Sequence, residues 1–408
     1  MNKIIFDLKY LDTLNELAEL IIHKENCESS VHDGLKEAML AIGIPRENII
    51  LSLMEILKTN RSQVNEFERL FKRWLRTKIV VLGDIARSTN SFSKVKYEFI
   101  MLMNEIKGKS LEALVYQAFG CLGNIKETNP ELYNLLTVGY QGWYFEDNWL
   151  DGFEGNNNSL IYNRLATLKN NYEKIIWLHD NLCDEESKES LNAVLKSWLY
   201  FNMNDAFNIT SWGQDVVVNR KIFSIYEDEV FIDCGSYTGD TVLELITETC
   251  GKYNKVYTYD ISENTVEQMK KNLENYKNIV YNVKGVSNEN GYLSFSGVDA
   301  PFHGNKLTKD EGSSVKVPIV KLDDDIKEPI TFLKIDVEGL DKEALQGAEM
   351  HVKTTHPKIH VDTYHKLVDF FEVPLLINKI DPTYKFYLRL INNRENPTWF
   401  CITCIYAV

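Results

Sequence analysis

Asp336, Glu338 and Asp341 stand in one short run of the chain, and His365 follows after the next apolar stretch. Carboxylates and an imidazole are the side chains that hold and move protons near neutral pH, so such a set suits a reaction in which a hydroxyl loses its proton. A second set surrounds the turn Asp233-Cys234-Gly235-Ser236-Tyr237-Thr238-Gly239-Asp240. Gly235 and Gly239 allow φ > 0 and a close approach of a ligand to the backbone. Their spacing is not the G-x-G-x-x-G of dinucleotide sites. The acids on either side, Asp233 and Asp240, would repel a pyrophosphate, which seeks bare N–H groups. They would favour an ammonium or a sulfonium. Asp260, about 20 residues beyond the turn, is placed to accept hydrogen bonds from two ribose hydroxyls. A positively charged nucleoside, S-adenosylmethionine, fits this pattern better than a nicotinamide cofactor.

The elements that must position these residues alternate in type. Val230–Ile232 is an apolar run of strand character, and Val242, Leu245 and Ile246 lie on one face of a helix over 238–246. Strands are expected at 255–259, ending at Asp260, at 279–283, 330–335, 358–361, 384–388 and 399–406. Helices are expected at 264–276 and 341–352. Residues 292–295 and 315–320 form an added pair of strands. Alternation of this kind means a largely parallel sheet with helices on both faces. The last two strands have no helix between them, which predicts an antiparallel hairpin at one edge. Asp336 and His365 then both fall at carboxyl ends of strands, where α/β sheets bind ligands.

The first part of the chain differs. Leu8, Leu11, Leu14, Leu17 and Ile21 recur at helical spacing, and further helices are expected at 31–42, 49–57, 64–75, 97–106, 111–122 and across 160–203. Asp184 to Ser187 has the acidic character of a helix start. Ile79–Asp84 is a lone candidate strand. Tyr140, Trp143, Tyr144, Phe145, Trp149 and Phe153 lie among Glu146, Asp147 and Asp151; aromatics beside carboxylates can grip a sugar, although a core or interdomain surface explains them as well. Three stretches result: 1–160, mostly helical and without a chemical signal; 161–225, a helical lead-in; and 226–408, the α/β domain.

Composition sets limits. The chain has 408 residues, 44% of them hydrophobic, and a net charge of −14. That argues against nucleic acid as a partner. Apolar runs fall short of the roughly 20 residues of a membrane helix, and the N-terminus turns acidic too early for a signal peptide. Seven scattered cysteines are the usage of a reducing compartment, so a cytoplasmic location is expected. Cys401 and Cys404 have C-x-x-C spacing within an apolar strand, where they would point apart and serve packing.

Three runs, in order, resemble the FkbM family of S-adenosylmethionine-dependent methyltransferases over about residues 165–408. They are Phe231-Ile232-Asp233-Cys234-Gly235-Ser236-Tyr237-Thr238-Gly239-Asp240-Thr241; Phe332-Leu333-Lys334-Ile335-Asp336-Val337-Glu338-Gly339 followed by Ala344-Leu345-Gln346-Gly347-Ala348; and Tyr364-His365-Lys366 with Asp369 and Pro374. The resemblance implies an α/β, class I methyltransferase (Rossmann-like) fold with a seven-stranded sheet. It also implies transfer of a methyl group from S-adenosylmethionine to a hydroxyl of a sugar, glycan or small secondary metabolite. Asp341 stands where the family usually has Glu, which keeps the charge but retracts it by one methylene. Asp260-Ile261 replaces a common Glu-Pro.

The expected cofactor contacts are Asp233, Gly235, Ser236, Tyr237, Thr238, Gly239, Asp240, Asp260, Ile261, Gly285, Val286, Asp336 and Gln214, the last matching a Gln that often precedes the first run. His365 is the leading candidate for the general base, with Asp336 facing the methionine end of the cofactor. Glu338, Asp341 and His303 are expected at the acceptor pocket, His303 from a loop over 297–314 that could act as a lid. No metal is expected, and a homodimer is compatible with the sequence. Two rivals remain: a binding or scaffold protein that keeps the cofactor fold without turnover, and a glycosyltransferase-like enzyme using the aromatic segment and Asp323-Asp324-Asp325. That acidic triplet has a simpler explanation as a solvated turn.

Overall fold

The computed structural model describes residues 94–134, 136, 160–212, 217–296, 306–308, 315–392 and 402–408. The aromatic segment 140–153, the candidate strand Ile79–Asp84 and the helices expected before residue 94 lie outside them. The chain divides into two compact units, Met1–Met101 and Leu102–Val408. Helix α1 (Lys94–Gly108) begins in the first.

Helices come first: α2 (Leu111–Thr128), α3 (Leu160–Asn170), α4 (Tyr172–Asn181), α5 (Glu185–Tyr200) and α6 (Asn204–Ile209). Their starts are chemical. The Ser110 side chain accepts the Ala113 N–H at the head of α2, and Asp184 accepts the Ser187 N–H at 2.9 Å at the head of α5, each satisfying a donor that a helix leaves open.

The chain then alternates between strands and helices: β1 (Ser211–Trp212), β2 (Val230–Cys234), α7 (Asp240–Glu248), β3 (Lys255–Asp260), α8 (Glu263–Asn272), β4 (Ile279–Val283), β5 (Gly285–Val286), β6 (Gly291–Ser296), β7 (Lys306–Thr308), β8 (Val315–Val320), α9 (Leu322–Asp325), β9 (Phe332–Ile335), α10 (Asp341–Gln346), α11 (Glu349–Thr355), β10 (Lys358–Asp362), α12 (Asp369–Ile380), β11 (Phe386–Asn392) and β12 (Ile402–Ala407); β1, β5, β7, α9 and the long α12 were not expected from the sequence. The main sheet runs β1-β11-β12-β10-β9-β2-β3-β4. It is the expected seven-stranded sheet, with the two-residue β1 added parallel to β11 at one edge. β10, β9, β2, β3 and β4 are parallel. A small second sheet, β5-β8-β6-β7, contains the expected added pair, β6 antiparallel to β8.

The last two strands form the expected antiparallel hairpin toward one edge of the sheet, with β12 inserted between β10 and β11 and antiparallel to both. Cys404, Ile405, Tyr406 and Ala407 are buried there, and an apolar run of this kind belongs inside a sheet. The helix expected over 341–352 is two helices. A Cβ on Gly347 would lie 2.0 Å from the Ser287 carbonyl oxygen, so the chain must stay bare at that crossing. Asp323 then accepts the N–H groups of Met350 (2.9 Å) and His351 (3.1 Å), so a side chain from α9 supplies the cap for a fresh start.

Phe231, Val242, Leu245, Val256, Val266, Met269 and Phe332 form the core under the glycine turn. The rings of Phe231 and Phe332 lie 4.9 Å apart across adjacent strands. Among the described residues no helix is long and apolar enough to cross a membrane.

Candidate active site

The glycine turn leaves the end of β2 and is sewn to the end of β3. The N–H groups of Gly235 and Ser236 both donate to the Tyr259 carbonyl, at 2.9 and 3.1 Å. The Ser236 hydroxyl donates to the Asp233 carbonyl at 2.6 Å and accepts the Tyr259 N–H at 3.1 Å. Both glycines have positive φ, +77° at Gly235 and +87° at Gly239. Their bareness serves the protein itself. A Cβ on Gly235 would fall 1.7 Å from the Asp336 carbonyl oxygen, and one on Gly239 would meet Leu273 and Met269 at 2.8 and 2.9 Å. Across the turn, Asp260 accepts the Tyr237 N–H at 3.1 Å and the Ser262 N–H at 2.9 Å. Burial pushes its carboxyl up to about 6, against those two N–H groups and Lys334.

Beneath the turn lies a charge. Lys334, in the middle of β9, is 2% exposed. Its ammonium donates to the Gly235 carbonyl at 2.9 Å and sits 3.3 Å from Asp233 Oδ1 and 3.6 Å from Asp336 Oδ2. Burial alone would lower the ammonium's pKa, but Asp233, Asp336 and Asp362 together raise it, so Lys334 stays charged. Asp233 is wholly buried and also accepts the Thr241 hydroxyl.

The acid–histidine set assembles beside this. Glu338 and Gly339 turn the chain sharply, with φ of +53° and +95°. The turn is closed by Asp341, whose carboxylate accepts the Val337 N–H at 2.9 Å and the Gly339 N–H at 3.1 Å. The same carboxylate meets His365 Nδ1 at 2.9 Å. That fixes the ring and aims Nε2 at Asp336 (3.4 Å) and Glu338 (3.6 Å). Burial would lower the imidazole pKa; Asp341, then Asp336 and Glu338, push it up to about 10. The ring is therefore an imidazolium at neutral pH. Asp369, at the head of α12, is 1% exposed, and one of its oxygens has no hydrogen-bond partner. Burial and Asp341 push it up to about 7.

A strand–turn–helix that presents an acid across from a glycine turn, next to a buried acid–histidine cluster on the neighbouring strand ends, can be compared with known families. The sequence model of the methyltransferase FkbM domain matches residues 233–394. Residues 233–394 are thus similar to a methyltransferase FkbM domain. Among solved structures, the methyltransferase FkbM from Methylobacillus flagellatus KT is 22% identical, with a TM-score of 0.51 over 60% of this chain and 62% of that one. This chain thus spans less than two thirds of that structure, and the likeness concerns the fold. An rRNA methylase from Streptococcus thermophilus (14% identical, TM-score 0.28, 45% of this chain and 87% of that one) and fibrillarin from Aeropyrum pernix with bound S-adenosyl-L-methionine (9%, 0.29, 45% and 67%) are more distant and carry no argument here. No curated protein matches the chain.

The expected site residues separate by exposure. Tyr237 and Asp240 are exposed, and Gly235, Thr238, Asp260 and Ile261 are half-buried around the turn. Asp233, Ser236 and Gly239 lie buried beneath it as supports. Gly285 and Val286 are buried in β5, paired with Ile319 and Val320. Asp336 and Glu338 are half-buried, whereas Asp341 stands wholly buried behind His365. Gln214 and His303 lie outside the described residues. An S-adenosylmethionine cofactor fits the donor set: Asp260, half-buried beside the turn, accepts two N–H groups and keeps lone pairs free.

The acidic triplet is committed elsewhere. Asp323 caps α11, Asp324 accepts from Asn290 at 2.7 Å, and Asp325 accepts from Tyr259 and Lys284, both at 2.8 Å. Lys334 and Asp369 belong to the runs that carry the resemblance, but the sequence assigns neither a role. The signal for Lys334 was a lysine inside an otherwise apolar strand, which has to be paired if buried. Asp369 offered no such signal, because an acid at a helix start is ordinary.

Proposed function

We propose that this protein transfers a methyl group from S-adenosylmethionine to an acceptor hydroxyl, making it an O-methyltransferase of a sugar, glycan or small secondary metabolite. The observation that carries the reading is the Asp341–His365 pair aimed at two half-buried carboxylates, next to the glycine turn. The cofactor, when bound, supplies an electrophilic methyl on a sulfonium. Tyr237, Thr238, Asp240 and Asp260 would hold it. The protein's own part is to bring the acceptor oxygen into line and to accept its proton. Because His365 is already protonated, the first proton acceptor is a carboxylate, Asp336 before Glu338. The imidazolium orients that carboxylate and offsets its charge. His365 serves as the base itself only after its Nε2 proton has passed to one of these acids.

The work is assigned to residues 226–408, with 161–225 as a lead-in and 1–160 without an assigned chemistry. Free, scattered cysteines, Cys121, Cys183, Cys234, Cys250 and Cys404 among them, support a reducing compartment. Titration calorimetry with S-adenosylmethionine tests the cofactor, and labelled methyl transfer to a panel of glycans and polyketides tests the activity. Absence of cofactor binding sinks the reading. Binding without transfer to any acceptor would favour the scaffold alternative.

A further inference from the structure

β10 and β12 bring His360, Asp362 and Cys404 together inside the sheet. In the register of these strands Asp362 lies opposite Cys404 and His360 opposite Tyr406. Directly opposed residues share a face, and so do residues two apart on a strand, so all four side chains project to the same side. His360, Asp362 and Cys404 are buried, and one donor atom from each lies within 4.8 Å of the other two. His360 Nε2 is 3.0 Å from Asp362 Oδ1. The Tyr406 hydroxyl bonds the Cys404 thiol, and its ring meets His360 edge-on at 4.7 Å. His360 is 0% exposed, yet its Nδ1 has no hydrogen-bond partner. Buried polar atoms of native proteins are nearly always paired, so an orphan inside a set of ligand-type side chains points to a missing partner.

We propose that His360, Asp362 and Cys404 form a structural site for a thiophilic divalent cation of the zinc class. Imidazole nitrogen, thiolate and carboxylate oxygen are the donors such an ion takes, and the mixture disfavours magnesium and calcium, which want oxygen alone. Donors on one tetrahedral ion stand roughly 3.3–3.8 Å apart. The present separations need only small side-chain rotations to reach that. On binding, the Cys404 thiol would give its proton to solvent and ligate as thiolate. The ion would clamp β12 to β10 just before β10 runs through Thr363 and Tyr364 into His365, so it would seat the catalytic loop without touching the substrates. Cys401, the other cysteine of the C-x-x-C, lies outside the described residues and has no part in the proposal.

The test uses the full chain grown with zinc, dialysed, and analysed by elemental mass spectrometry. About one zinc per chain is expected, with a thiolate-to-cobalt charge-transfer band in the near ultraviolet after cobalt exchange. Cys404→Ser and Asp362→Asn should lose the zinc, and Cys404→Ser should lose the band. Wild-type protein without retained metal and without the cobalt band would overturn the proposal, whatever the variants do. So would zinc that both variants retain in full.

Discussion

Around Gly235–Asp240 the chain is held mainly by its own backbone, with three N–H donations binding the turn to Tyr259 and Asp260. Around Asp336–Asp341 it is held by side-chain charge: the Asp341 carboxylate closes the loop and pins His365, and His365 faces two further acids. The first region is a shape that accepts a ligand; the second is a poised set of protons. They meet at two points. The Asp336 carbonyl fills the space that the missing Gly235 side chain leaves, and Lys334 touches both regions. A backbone-built site tolerates changes of surrounding charge, whereas a charge-built one depends on every partner.

The largest effect should come from breaking the point shared by both. Lys334→Met leaves Asp233 buried without its cation and is expected to cost about 3–5 kcal/mol of stability. Adding Asp233→Asn should restore much of it. Urea denaturation of the two variants measures this, and a Lys334→Met protein as stable as wild type would show that the buried pair does not join the regions.

Asp341→Asn should act on the second region alone. All three partners of this carboxylate donate to it, so an amide must turn its NH₂ toward one of them. The turnover rate is expected to fall about 10²–10³-fold, with calorimetric affinity for S-adenosylmethionine nearly unchanged. Equal losses in both would mean that the two regions are not separable.

Asp260→Ala should do the reverse. Cofactor affinity is expected to weaken by about 1–3 kcal/mol for lost charged hydrogen bonds, with turnover at saturating cofactor close to wild type. Unchanged affinity would remove Asp260 from the site.

The smallest effects are in pH. Asp260 titrates at about 6, so cofactor affinity should rise from pH 5 to 7 and then level, by up to about tenfold per unit below the pKa. Asp260→Asn should flatten the profile. His365 has the opposite linkage. Its folded pKa of about 10 lies above its ordinary value, so the stability it contributes is complete below about pH 6.5 and fades as pH rises through 10. The stability gap between wild type and His365→Gln should therefore narrow from pH 7 to 10. A constant gap would place His365 outside the acid cluster.

Much of the first region was legible from sequence, because a glycine turn between strand and helix, with an acid at the next strand's end, is local information. The strands themselves were legible for the same reason: buried parallel strands are apolar runs with turn residues at their ends. The second region was legible only as a list of residues. Asp341 was expected to line a pocket and instead stands behind His365, because its closeness to residue 365 depends on how β9 and β10 pair. The break at Gly347 was hidden because its causes, Ser287 and Asp323, come from other elements. The insertion of β12 between β10 and β11 was hidden because an apolar run does not say which strands flank it.

Sequence alone therefore determined the alternating architecture, the glycine turn with Asp260, and the identity of the acids and histidine, since composition, periodicity and turn chemistry are properties of neighbouring residues. Tertiary structure alone decided that the glycines are bare for Asp336, Leu273 and Met269, that Lys334 remains charged beneath the turn, and that His365 is an imidazolium. Steric approach and electrostatic shift both depend on distances between residues far apart in the chain, and only the folded sheet sets those distances.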